Sequence, residues 1–90
     1  MYKYLIILSD YSRYEIVGHT FDLAEATKKA EGMFESWKQL QNVEIINLDS
    51  FVFCNVSISE AHLEAREMYI VMIGGRARFR VLIARTEKTE

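Results

Sequence analysis

Arginine alternates with apolar residues in Arg76-Ala77-Arg78-Phe79-Arg80. At a spacing of two, a β-strand puts all three guanidiniums on one face. Guanidinium pairs bidentately with phosphate or carboxylate, stacks on aromatic rings and is enriched where proteins meet. The preceding run, Tyr69-Ile70-Val71-Met72-Ile73, ends at Gly74-Gly75. The expected site therefore sets Arg80, Arg78 and Arg76 beside Tyr69, Val71 and Ile73, with Tyr69 in cation–π contact with Arg80. Tyr11 and Arg13, in and beside the polar stretch after Leu8, extend it, because an exposed tyrosine offers contact area at little entropy cost. The plainer reading is a solvated sheet face, with arginine stems lying over Val71 and Ile73 and their heads in water.

Other chemistry is sparse. Gly18 and Gly32 are isolated, so there is no phosphate loop. Cys54, His19 and His62 are too scattered to make a zinc set, so neither a metal nor a cofactor is expected. A Cys54–His62 nucleophile pair is outweighed by the apolar surroundings of Cys54, where a free cysteine packs as a small hydrophobe. Glu60, His62, Glu64 and Arg66 read as a solvated face. With no nucleophile, base and oxyanion donor in prospect, no enzymatic activity is expected.

Composition sets the bounds. The chain has 90 residues, half of them hydrophobic, and a net charge of −2. That is one globular domain with a modest core, for which self-association is a ready source of extra stability. The net charge disfavours a nucleic acid polymer as partner. Positive charge gathers at the C-terminal end, where Arg76, Arg78, Arg80, Arg85 and Lys88 outnumber Glu67, Glu87 and Glu90. One cysteine excludes an internal disulfide, and Tyr4–Leu8 is too short for a secretory signal. A cytoplasmic protein with no membrane span is expected.

These groups need a scaffold. Two glycines between β-branched runs predict a hairpin with a two-residue turn. That turn pairs Ile73 with Arg76, Met72 with Ala77, Val71 with Arg78, Ile70 with Phe79 and Tyr69 with Arg80. Met68, Ile70, Met72, Ala77, Phe79 and Val81 then form the core face. Tyr2–Leu8, apolar on both faces, reads as a central strand, and Tyr14–Thr20 as its returning partner, with Gly18 marking a bulge or close approach. Asp22 caps a helix whose stripe is Leu23, Ala26, Ala30, Met33, Phe34, Trp37 and Leu40, running to Gln41-Asn42. Gly32 suggests a close crossing within it. Val43–Val56 is one bent strand or two short ones about Asp49-Ser50. Ser57-Ile58-Ser59-Glu60 has capping-box spacing and predicts a short helix to about Arg66.

The fold class expected is α+β: a mostly antiparallel sheet of about five strands, ordered β-β-α-β-α-β-β, with one long helix on one face and the other face open. Residues 1–86 form the domain and 87–90 a frayed tail. The leading functional expectation is a non-enzymatic interaction module that docks on, and modulates or inhibits, a partner protein or a second copy of itself. A binder of a small anionic ligand such as a nucleotide is the alternative, and a small enzyme with its site between subunits a lesser one.

Overall fold

The computed structural model describes residues 2–58 and 61–86. Ser59 and Glu60, and the tail 87–90 expected to fray, lie outside the described residues. In chain order come β1 (Lys3–Ser9), β2 (Tyr14–Thr20), α1 (Leu23–Gly32), a 3-10 turn (Glu35–Gln39), β3 (Val43–Ile58), β4 (Ala61–Ile73) and β5 (Arg76–Thr86). The strands form one five-stranded sheet, ordered β2-β1-β5-β4-β3. Every neighbouring pair is antiparallel. The α+β class is as expected.

β1 is apolar on both faces because it lies inside the sheet, between β2 and β5. Ile6 pairs with Gly18 and Ile7 with Ile16, so Val17 is an extra residue in β2. This is the irregularity that Gly18 signalled.

The helix departs from expectation in the middle. Asp22 caps α1, its carboxylate accepting from the Ala24 amide at 3.4 Å. Ala26 and Ala30 are buried against the sheet. At Gly32 the α-helix stops, and the chain resumes as the 3-10 turn. Glycine costs about 1 kcal/mol relative to alanine inside a helix. A Cβ on Gly32 would meet nothing within 4 Å, so no close crossing offsets that cost. The bend swings Phe34 and Trp37 onto Phe79, with ring centroids 5.0–6.2 Å apart. Leu23 and Leu40, at the two ends of the expected stripe, stay exposed.

The short helix expected from Ser57 to about Arg66 is not formed. β3 and β4 pair through this region, with Val56 opposite Leu63 and Ser57 opposite His62. A capping-box spacing is a local signal, and cross-strand pairing in a long hairpin overrides it. β3 continues through Asp49-Ser50, with its register to β4 interrupted between Asn47 and Val52.

The β4–β5 hairpin carries the main correction. Gly74 and Gly75 have φ of 60° and 81°, as the two-residue turn requires. Ile73 pairs with Arg76 and Met72 with Ala77, as expected. Then Arg78 is skipped, and Val71 pairs with Phe79, Ile70 with Arg80 and Tyr69 with Val81. Met68 is skipped in turn, which restores the original register at Glu67 and Leu82. A one-residue slip moves side chains to the other face. Between the two bulges, Tyr69 and Val71 therefore join Phe79 and Val81 on the helix side.

The sheet has a core on each side. Under the helix, Ile6, Tyr69, Val71, Val81 and Ile83 pack with Ala26, Ala30 and Phe34. On the other face, Leu5, Ile7, Val56, Ala65, Leu82 and Ala84 form a second buried cluster, against which Tyr14, Ile58 and Leu63 pack. The expectation of an open second face fails, since Ile7, Leu82 and Ala84 are fully buried there.

Candidate functional site

The expected arginine–tyrosine–aliphatic face separates into three places. Tyr69 and Val71 are buried under the helix, at 8% and 0% exposure, and Ile73 packs at the edge of the same core. They offer no docking floor. Arg76 and Arg78 are exposed near the turn. Arg80 lies on the opposite face, paired with Ile70 instead of Tyr69. Its side chain is only 18% exposed, and it makes its contacts with residues far away in sequence.

Register explains how this constellation assembles. Ser9 of β1 pairs with Arg80 on one side and Tyr14 on the other. Serine is small and here buried, so the guanidinium can reach across it. Arg80 Nη2 donates to the Tyr14 hydroxyl at 2.7 Å. Its Nη1 donates to Glu67 Oε2 at 2.8 Å, in an ion pair whose side chains are mostly buried. Glu67 falls on this face because the Met68 bulge has reset the register there. Charge-assisted hydrogen bonds of this length in a dry setting hold a guanidinium firmly.

Above the pair sits Tyr11. Arg80 Cζ lies 5.3 Å from the Tyr11 ring centroid and 5.6 Å from that of Tyr14. The cation–π partner expected of Tyr69 is thus supplied by the β1–β2 loop. Tyr11 has φ of 75°, the one positive φ outside glycine among the described residues. In this left-handed region an L-residue crowds its own Cβ, at about 1–2 kcal/mol.

The loop compensates through hydrogen bonds. The Tyr11 amide donates to Ser9 Oγ at 3.1 Å. Asp10 Oδ1 accepts from the Ser12 amide at 2.9 Å, the Ser12 hydroxyl at 3.0 Å and the Arg13 amide at 2.8 Å. The Ser12 amide, with that of Arg13, holds the Asp10 carboxyl below its usual range. Burial, then the Glu67 charge, raises the Tyr11 phenol above its ordinary value against the opposing pull of Arg80. The residue nonetheless remains about half exposed, at 48%.

Around the loop, Arg13 is exposed and lines a shallow cleft of about 330 Å³ with Leu8, Asp10, Tyr14, Glu15 and Phe79. Ile16 and Val17 of the edge strand β2 are exposed as well. At the far end of the same strands, Arg85 stands over Tyr2 at 4.3 Å.

Tyr11 and Arg80 are therefore the expected site residues that the fold brings into contact, with Arg13 in the same loop as Tyr11 but lining the neighbouring cleft. Glu67, and Tyr14 at the edge of the loop, complete the group from outside the expected site set. Glu67 was within reach of the turn register, which sets it opposite Leu82, two residues from Arg80. Nothing in the local sequence signals the link from Tyr14 to Arg80, which needs β1 placed between β2 and β5.

His62 meets Ser57, its direct cross-strand neighbour, with 2.9 Å between Nδ1 and Oγ, and both residues are exposed. Cys54 pairs with Ala65, three positions along the ladder from His62. Among the described residues, no group of three or more His, Cys, Asp or Glu is placed to hold a metal ion. Among them too, no helix is long and apolar enough to cross a membrane. Comparison of the chain with protein-family models, curated proteins and solved structures finds no match.

Proposed function

We propose that the chain is a non-enzymatic interaction module that docks on a partner protein and modulates or inhibits it, with Tyr11 as the docking anchor. The observation that carries this reading is an aromatic ring held half exposed by a left-handed backbone over a clamped arginine. Costly backbone conformations cluster where a protein binds or switches. An exposed tyrosine already fixed in place forfeits little entropy on binding, which is how a single side chain becomes an interface hot spot. Arg13 beside it and the exposed Ile16 and Val17 on β2 supply a polar and an apolar flank.

The docking surface is thus centred on the loop between β1 and β2, not on an arginine stripe. A small anionic ligand such as a nucleotide is less well supported. Glu67 already offsets the charge of Arg80, leaving Arg76 and Arg78 to bind the anion from an exposed hairpin end.

The test is retention of polypeptides from native cell extract by immobilised protein. Tyr11→Ala should lose the retained partner, whereas Arg76→Glu/Arg78→Glu should keep it. Retention lost only in the arginine variant, together with salt-sensitive thermal stabilisation by nucleotides, would replace docking with anion binding.

A further inference from the structure

We infer that Arg80 is a positioning residue for Tyr11: the Glu67–Arg80–Tyr14 clamp selects the left-handed conformer in which the Tyr11 ring is presented. This rests on the docking reading and adds how the anchor is kept ready. Three observations meet here. Tyr11 adopts a φ of 75° that its side chain disfavours. Its ring lies over the Arg80 guanidinium at 5.3 Å. That guanidinium is fixed in the sheet by Glu67 at 2.8 Å and the Tyr14 hydroxyl at 2.7 Å.

A strained conformer persists only where its surroundings over-determine it. The Asp10 and Ser9 hydrogen bonds shape the loop, but they contact its backbone and Ser12, not the Tyr11 ring. The Arg80 guanidinium lies against the ring face, so it links the ring's direction to the register of β4 and β5. The bulge at Met68 belongs to the same device, because it puts Glu67 on the face where Arg80 needs a counter-charge.

The test uses the free protein. Thermal unfolding is followed for Tyr11→Gly alone and on a Glu67→Gln/Arg80→Met background, where both charges of the buried pair are replaced by neutral groups of similar length. Glycine relieves the strain in both, but sacrifices the stack only where Arg80 is present. The Tm shift caused by Tyr11→Gly should therefore be more positive on the neutral background, by about 2–8 °C for a domain this size. Equal shifts on the two backgrounds would overturn the inference.

Should that background not fold, Glu67→Gln alone is read by NMR. The strong Tyr11 HN–Hα cross-peak of a positive φ should weaken, and an unchanged peak would overturn the inference. Because no partner is used, a failure here leaves docking standing. Conversely, intact coupling with no loss of partner capture in Tyr11→Ala would remove docking and leave the clamp.

Discussion

Among the described residues, two turns use a left-handed backbone, and they fill it with opposite kinds of residue. At Gly74 and Gly75, φ is 60° and 81°, and a Cβ on either would meet nothing within 4 Å. That turn reverses the chain at no steric cost, and no side chain from elsewhere is needed to hold it. At the β1–β2 turn, Tyr11 takes φ of 75° with a bulky side chain. There the conformation is backed by the Ser9 hydroxyl, the Asp10 carboxylate and a mostly buried ion pair under the ring. A turn serving connection alone takes the residue that costs least. One that keeps a costly residue and surrounds it with support is where binding is to be sought.

The contrast is broken most severely from below. Arg80→Met leaves the Glu67 carboxylate without its cation in a mostly buried site, and stability should fall by about 3–5 kcal/mol in chemical denaturation. A loss under about 1 kcal/mol would mean that the pair behaves like an exposed one and anchors nothing. At the connecting turn, Gly75→Ala should cost about 1 kcal/mol, and Gly75→Asn less, because asparagine tolerates the left-handed region. Equal costs for the two would show that some contact, not backbone conformation, governs that turn.

The smallest effect separates the loop's own hydrogen bonds from the clamp. With its carboxyl held below the usual 3.8, Asp10 favours the folded loop as the carboxylate. Its contribution is whole above pH 3.8 and fades as the pH falls through the lower folded-state value. The Ser12 and Arg13 amide shifts should move together below pH 3.8 and stay still between pH 5 and 7, roughly the range where native proteins are most stable. Movement centred near neutrality would assign the loop's order to some other group.

Much of the scaffold was legible. Paired glycines gave the turn, Gly18 the bulge in β2, and Asp22 the helix start. The misplaced face has a specific cause that also lay in the sequence. β4 carries Tyr69, Val71 and Ile73 at odd positions, and β5 carries Phe79, Val81 and Ile83 at odd positions. A two-residue turn after Ile73 pairs odd with even, so both apolar series reach one core only if a residue is inserted between them. Arg78 is that residue, and Met68 reverses the shift. Weighing the arginine alternation above the apolar one put Tyr69 and Val71 outside. The clamp was less accessible, because it joins Tyr14, Glu67 and Arg80 through strands β2, β4 and β5, and strand order is a property of the whole sheet. The short helix failed for the same reason, a local cap signal yielding to a long-range ladder.

One variant separates support of the fold from presentation of the ring. Glycine at position 11 removes strain of about 1–2 kcal/mol and a cation–π contact of about 0.5–1 kcal/mol, so its stability should stay within about 1 kcal/mol of the parent. The decisive measurement is polypeptide retention from native extract by Tyr11→Gly and parent protein at matched folded concentration. Expected is a partner held by the parent and released by the equally stable variant. The same polypeptides held by both, or none held by either, would contradict a docking role for Tyr11.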